Sequence, residues 1–494
     1  MKNKVSIIGS GFSGLSAAAM LANNGFEVDI FEKNSEPGGR ARNFKAEGFT
    51  FDMGPTWYWL PDVFENFFAK FNKTPSDFYK LKRLDPAYRM FFGKEDYIDI
   101  PANKEKLFEL FENLEPGCSK NLEKFLNEAA FKYNLAMKEI IYKPSFSIFE
   151  YLDWNIISGV LRVNFFKSIS KHIRSLFKNP KIIRILEFPV IFLGAAPANT
   201  PSLYSMMNHA DLTLGTWYPI GGMYEVIKAM VKLNTTLGVN LHYNAAITSF
   251  SYTRNSIIGL NSNDLNHKTK AVIAGADYHH VEQTILEKSF RDYTPKYWDN
   301  REMAPSSLLI YLGINKKIPK LEHHNLFFDT SFEKHAEEIY KSPIWPSDPA
   351  IYVSCSSKTD HSIAPPGCEN LIILIPVASG LSDTENIKQQ YFQLVIERLE
   401  SILGENISNH IIYQRIYAHS DFISDYNSFK GNAYGLSNTL LQTAFLKPRM
   451  KNKKLSNLFY CGQLTVPGPG VPPSIISGEI ASTLVNNYFK TIKL

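Results

Sequence analysis

An α/β fold organised on a parallel sheet is predicted by three features of the chain. The first is a short apolar strand, residues 5–8, that runs into Gly9-Ser10-Gly11-Phe12-Ser13-Gly14 and then into an Ala/Leu-rich helix stopped by Gly25. The second is another apolar strand, Glu27-Val28-Asp29-Ile30-Phe31, which ends on the acid Glu32. The third lies at the far end of the chain. There Leu458-Phe459-Tyr460-Cys461-Gly462 reads as a buried strand ending in glycine, and a helix with small residues at Ser474, Ser477, Gly478 and Ala481 follows. Strand, G-x-G-x-x-G, helix, strand and acid in that order form the pattern of a Rossmann-like dinucleotide-binding domain.

Each part of the pattern has a physical reason. Gly9 allows the tight turn, Gly11 lets the backbone approach a pyrophosphate, and Gly14 lets the helix pack close to the strand. Phe12 and Ser13 complete the turn, and the helix expected from Leu15 to about Asn24 presents the free N–H groups of its N-terminus to the phosphate charge. Glu32, followed by Lys33, stands 18 residues beyond Gly14, where an acid binds ribose hydroxyls. Next, Gly38-Gly39-Arg40 lets the backbone pass close to a second part of the ligand and offers a guanidinium to a phosphate. A short alternating strand then closes on the turn Gly54-Pro55-Thr56, followed by Trp57. A plain NAD site has no need of these last two blocks, so they point to FAD. At the C-terminus, the stiff loop from Val466 through Gly470-Val471-Pro472 to Pro473 can hold backbone N–H groups against a flat ring. Gly462-Gln463 is placed to contact the ribitol or the pyrophosphate.

Composition narrows the classes. The chain has 494 residues, 44% hydrophobic and 20% charged, which excludes disorder and collagen. It is too long for one core, so two intertwined domains are expected. Aromatic residues make up 13%, which suggests a large apolar cavity besides an ordinary core. Lys+Arg number 53 against 48 Asp+Glu, too small an excess for a nucleic-acid binder. Cys118, Cys355, Cys368 and Cys461 are scattered without metal-ligand spacing and read as reduced thiols of a cytoplasmic protein. The pairs His279-His280 and His323-His324 have no third ligand in view, so no metal site is expected. No Ser/His/Asp constellation is recognisable, and no catalytic acid or base is assigned. No apolar run approaches the ~20 residues of a membrane span, and the best candidate, 188–198, contains Pro189 and Pro197.

The N-terminal blocks resemble the fingerprint of the flavin amine oxidase and carotenoid desaturase superfamily. Five further stretches are similar to bacterial-type carotenoid desaturases, the phytoene desaturase family, and the likeness runs nearly end to end. They are Gly215-Thr216-Trp217-Tyr218-Pro219-Ile220-Gly221-Gly222-Met223, Ala274-Gly275-Ala276-Asp277-Tyr278-His279-His280, Ser354-Cys355-Ser356-Ser357-Lys358-Thr359-Asp360, Ala364 to Leu371, and Tyr426-Asn427-Ser428-Phe429-Lys430-Gly431. The resemblance implies an FAD enzyme that takes a hydride from a saturated unit of a lipophilic C40 carotenoid and passes electrons to an acceptor such as oxygen or a quinone. A 3,4-desaturase of hydroxylated or monocyclic carotenoids would look much the same. It also implies that the backbone at Ile247 meets the adenine end. Relatives often place an acid after the C-terminal glycine where this chain has Gln463, which leaves that contact open. A carotenoid isomerase, a flavin amine oxidase and a lipid-binding chaperone of the Rab GDP dissociation inhibitor type stand as alternatives.

The order of motifs predicts an FAD-binding domain from residues 1–75, 215–290 and 425–494. An α+β substrate domain is expected from 76–214 and 291–424, with a helical part at about 105–196. Residues 154–186 contain seven Lys/Arg and no acid, and Phe165, Ile169, Ile173 and Phe177 recur every fourth residue. That pattern predicts an amphipathic helix that docks on an anionic membrane surface, with Lys167, Lys171, Arg174 and Lys178 on the opposite face. The competing expectation is a helix that packs the same apolar face on the protein's own core. Peripheral association with the inner face of the cell membrane is the expectation adopted.

Overall fold

The computed structural model describes residues 3–153, 167–191, 196–263 and 265–492. From Val5 onward, strand β1 (Lys4–Ile8) is buried on both faces: Val5 and Ile7 pack with Leu15 and Ala18 of the helix that follows, and Ile8 packs on the other side of the sheet with Phe250, Ile257 and Leu260. Gly9, at φ +95°, turns the chain into α1 (Phe12–Asn23), and β2 (Glu27–Phe31) returns parallel to β1, with Lys4 opposite Glu27 and Ile8 opposite Phe31. Strands β3 (Asn240–His242), β4 (Ala271–Ala274) and β5 (Leu458–Tyr460) complete a parallel sheet in the order β5-β4-β1-β2-β3. One sheet is thus assembled from three distant parts of the chain.

The C-terminal helix α2 (Val471–Thr491) crosses α1 at the closest distance that backbones allow. A Cβ on Gly478 would lie 2.2 Å from the Ser13 carbonyl oxygen and 2.8 Å from Ser16 Cβ. Ser16 Oγ donates to the Ile475 carbonyl at 2.8 Å across the same crossing. Gly14 plays the matching part beneath α1, where a Cβ would lie 2.0 Å from the Gly9 carbonyl oxygen. Gly478 and Ser16 are thus explained by the crossing of the two helices, and Gly14 by the seat of α1 on its own turn.

A second, seven-stranded sheet runs in the order Ile411–Tyr417, Ser306–Ile314, Glu369–Val377, Ile351–Ser354, His324–Phe327, Tyr88–Phe91 and Tyr97–Ile100. Its neighbours are antiparallel except for the parallel pair His324–Phe327 with Tyr88–Phe91. Every residue of Ser306–Ile314 is buried, and the alternation of strand side chains divides them between two cores. Leu308, Ile310 and Leu312 pack with Val395, Ile396 and Leu399 of the helix Glu385–Leu403. Leu309 and Tyr311 face a different core, shared with the helices Lys104–Leu114, Ser119–Leu135, Ile169–Arg174 and Pro180–Ile191.

That second core corrects the docking-helix expectation. The helix Ile169–Arg174 has six residues and ends at Ser175, and Pro180 begins the next one. Ile169, Ile173 and Phe177 are fully buried, at 0%, 0% and 1% exposure, in one cluster with Phe111, Leu122 and Phe125. The Phe177 ring meets those of Phe111 and Phe125 at 6.3 and 6.2 Å between centroids. A face of period four suits a bilayer or a core equally, and here a core partner from residues 111–125 claims it. Only the basic side, Lys171, Arg174 and Lys178, meets solvent, and the buried Glu187 lies 3.4 Å from Arg174 Nη2. Trp154, Arg162 and Phe165 lie outside the described residues. Among the described residues no helix is long and apolar enough to cross a membrane.

Candidate functional site

Between the two sheets lies a cavity of about 810 Å³. All the candidate residues named from the sequence line it except Gly14, which sits beneath α1 and acts through packing. At one end, Gly11 borders open volume: a Cβ there would meet nothing within 4 Å. Gly39, at φ +54°, brings its loop against this turn, with its absent Cβ 3.5 Å from Gly11 Cα. Glu32 is buried and immobilised. Its Oε2 accepts from the Ser10 N–H at 3.0 Å and the Ser10 hydroxyl at 2.7 Å, and its Oε1 accepts from the Asn34 N–H at 2.9 Å. The Ala245 N–H donates to the Glu32 carbonyl at 2.8 Å, which sets Ile247 and its neighbours in the wall beside the acid. Lys33 Nζ donates to the Ser424 carbonyl at 2.5 Å, and burial lowers its pKa.

Arg40 explains two of the stretches that carried the family resemblance. Its Nη2 donates to Ser428 Oγ at 3.1 Å and to the Asn432 carbonyl at 3.3 Å, and its guanidinium lies over the Tyr426 ring, 5.1 Å from the centroid. Asp277, in the other stretch, opposes the fall that burial imposes on the Arg40 pKa. Asp277 is itself buried and pushed up to about 6, while the N–H groups of His280 and Phe429 donate to it at 3.1 and 3.2 Å. Gln463, with its amide set to satisfy its neighbours, accepts from Arg40 Nη2 at 3.0 Å and donates to the Ala433 carbonyl at 3.2 Å. The open contact at Gln463 is thus an uncharged one that supports Arg40 without neutralising it. Arg40 Nε is buried without a hydrogen-bond partner. An unpartnered guanidinium N–H is costly unless an anion completes it. Beside a glycine turn at a helix N-terminus where a Cβ would meet no protein atom, the residues present therefore fit the pyrophosphate of FAD.

The other half of the cavity is apolar. Leu309 and Leu374 of the second sheet form one wall, and Met137, Ile141, Met206 and Met207 form another. Trp57 lies flat on His324, with centroids 3.9 Å apart and planes at 8°. The Tyr352 hydroxyl bonds both Thr56 Oγ1 and His324 Nδ1 at 2.7 Å. Burial drives the His324 pKa well below the usual imidazole range and His323 down to about 3, so both rings are neutral. His279 stacks on Phe429 at 3.9 Å, and burial lowers its pKa to about 4. Among the described residues no group of three or more His, Cys, Asp or Glu could hold a metal. The carboxylates that border the cavity, Glu32, Asp277 and Asp425, all belong to the glycine-turn and Arg40 side. Gly54, Pro55 and the start of α2 at Gly470, Val471 and Pro472 join the two halves. A Cβ on Gly54 would lie 2.3 Å from the Arg40 carbonyl oxygen, so this turn seats directly on the Arg40 loop. Cys461 also borders the cavity, and burial pushes its thiol up to about 12.

Two surface segments border the cavity through Lys143, Ser145 and Tyr151 and through Thr443 and Ala444. Arg449 holds them together, its guanidinium 5.2 Å from the Phe146 ring centroid. Both carry exposed apolar side chains: Phe149 is 77% exposed, Leu152 58% and Leu441 79%. No local pattern in the sequence marks this rim, because its two halves stand almost 300 positions apart.

With this geometry established, the relatives are informative. Over 477 residues the chain is 38% identical to a carotenoid 3,4-desaturase of Haloarcula japonica, covering 96% of each chain. It is 30% identical over 491 residues to a 4,4'-diapophytoene desaturase of Staphylococcus aureus, covering 97% of each. Among solved structures, an oxidoreductase from Methanosarcina mazei shares the fold, with a TM-score of 0.63 at 16% identity, covering 96% of this chain and 99% of that one. The family model described as flavin containing amine oxidoreductase matches residues 12–486, and the chain belongs to that family.

Proposed function

We propose that this protein is an FAD-dependent carotenoid desaturase. The observation that carries the reading is the division of one cavity into two chemically distinct ends. The glycine turn, Glu32 and Arg40 suit the ADP half of FAD, and the carboxylate-free walls beyond Trp57 suit a long uncharged hydrocarbon. A substrate ammonium, as in an amine oxidase, would find no counter-charge on those walls. Bound FAD would supply a hydride acceptor for a saturated carbon of the substrate, whose neighbouring carbon would release a proton to water. The chain's own residues orient and shield. Glu32 accepts from the ribose hydroxyls, Arg40 Nε donates to the pyrophosphate, and Ile247 lends backbone to the adenine. The loop from Val466 to Pro473 would seat the ring, and Leu309, Leu374, Met206 and Met207 would hold the polyene against it. An acceptor such as oxygen or a quinone would take the electrons from the bound cofactor.

A substrate of this kind resides in a bilayer, and the apolar rim at Phe149, Leu152 and Leu441 supports docking there. The rim borders the cavity, whereas the basic helix has given its apolar face to the core. Lys171, Arg174 and Lys178 add attraction to anionic lipid at about 1 kcal/mol for each charge near the surface. The protein then sits peripherally on the cytoplasmic face of the cell membrane.

Conversion of purified carotenoids tests the activity. Acyclic, hydroxylated and monocyclic substrates supplied in detergent are expected to include at least one whose absorption moves to longer wavelength as double bonds are added. Absence of turnover on all three classes by flavin-replete protein contradicts the reading.

Flavin retention tests the site. Acid precipitation is expected to release all the flavin, since the buried Cys461 thiol stays protonated. Gly11→Ala should leave the melting temperature of the flavin-free protein unchanged, because its Cβ meets nothing in the protein, yet abolish FAD binding by filling the phosphate site. Glu32→Ala should weaken retention about tenfold or more, from the loss of a charge-assisted hydrogen bond of ~1.5–3 kcal/mol. Full flavin occupancy of both variants after extensive dilution would remove the assignment.

Vesicle co-sedimentation tests the rim. Changing Phe149, Leu152 and Leu441 together to Ser is expected to abolish most pelleting with anionic vesicles. Changing Lys171, Arg174 and Lys178 to Gln should remove only the salt-sensitive part. Unaltered pelleting of the rim variant would place the docking surface elsewhere.

A further inference from the structure

Lys447 is a buried cation that neither cofactor binding nor substrate packing uses. It is 4% exposed, and its Nζ donates to Asn438 Oδ1 at 3.0 Å. Among the described residues it forms no ion pair. Burial lowers its pKa to about 8, and no charged or titratable side chain contributes to that shift. Asn438 and Gly468 pack against the ammonium, and neither ionises. Gly468 has φ +135°, and a Cβ there would lie 2.9 Å from Lys447 Nζ and 3.4 Å from Asn438 Oδ1. The ammonium is therefore pressed against the back of the loop whose front, Gly468 to Gly470, lines the cavity, as Asn438 also does. The loop leads directly into α2, whose N-terminus brings partial positive charge to the same wall.

A lone buried ammonium is expensive. If filling space were its only task, an apolar side chain of the same length would serve with less desolvation. We infer that Lys447 is a positioning residue for charge: it holds a positive charge behind the Gly468–Gly470 loop and makes flavin bound in front of that loop a stronger hydride acceptor. The inference rests on the desaturase reading. The substrate loses a hydride to the flavin and a proton to water, so the ring gains one negative charge at the step. The acceptor, oxygen or a quinone, later removes two electrons and a proton. A fixed cation behind the loop favours the charged product of the first transfer.

The test uses holoenzyme and reads the two-electron midpoint potential of its flavin. Lys447→Met is expected to keep a full flavin complement while the potential falls by at least ~30 mV, which is tenfold in the reduction equilibrium. Lys447→Arg should restore most of the difference. The kcat on carotenoid should fall with Lys447→Met, with KM little changed. Full flavin content with an unmoved potential overturns the inference, whereas protein that binds no flavin at all overturns the cofactor reading instead. Should Lys447→Met not fold, the wild type decides. Its potential should fall about twice as steeply with pH above pH ~8 as just below it, because the negative ring retains a proton on Lys447 that oxidised protein would release. A slope that stays constant from pH 7 to pH 9.5 overturns the inference in the same way.

Discussion

The crossing of α1 and α2 is the contact on which the rest of the structure depends. It brings the first and last parts of the chain to backbone contact, with Gly478 against the Ser13 carbonyl. Glycine inside a helix costs about 1 kcal/mol relative to alanine, and Gly478 bears that cost for the sake of the approach. Once the crossing forms, β5 must lie beside β4, and the loop before α2 must close over the glycine turn. The cavity floor is therefore a product of contacts between the two chain ends, and neither end builds it alone.

Charge is distributed along the cavity in the way hydride transfer to a bound ring requires. Positive groups gather on one side: Arg40 with its neutral supporter Gln463, the N-terminus of α2, and Lys447 behind the loop. The opposite walls hold mainly aromatic and aliphatic side chains, and the histidine packed behind Trp57 and Tyr352, His324, is uncharged. Such an arrangement attracts phosphate at one end, favours a negative ring in the middle, and offers a polyene walls that are mainly apolar. The second sheet contributes through alternation. One face of Ser306–Ile314 is spent on its covering helix, and the other supplies Leu309 to the cavity.

The local parts of this architecture were legible in the sequence, and the parts that depend on distant partners were not. Glu27–Phe31 as a strand, the glycine turn and the small-residue C-terminal helix follow from short-range chemistry, and the structure has all three. Arg40 was recognisable as a phosphate partner, but its supports at Ser428 and Asn432 lie almost 400 residues away. Ser428 entered the sequence reading as part of a family signal with no assigned role, and Asn432, one residue beyond that stretch, did not enter it. The basic stretch shows the converse. Its period-four face was evident, but whether it meets lipid or protein depends on Phe111, Leu122 and Phe125, which no local pattern supplies. Lys447 carried no signal at all, since an isolated lysine between Leu446 and Pro448 reads as solvated surface.

The central claim is that the two ends of one cavity bring a flavin and a carotenoid into reacting contact. Anaerobic mixing of holoenzyme with one carotenoid, followed in the visible range, tests it most directly. The account predicts that the oxidised-flavin band disappears as the polyene band moves to longer wavelength, one flavin reduced for each double bond formed. A flavin that stays oxidised in the presence of saturating carotenoid, or that is reduced with no change in the polyene, would contradict it.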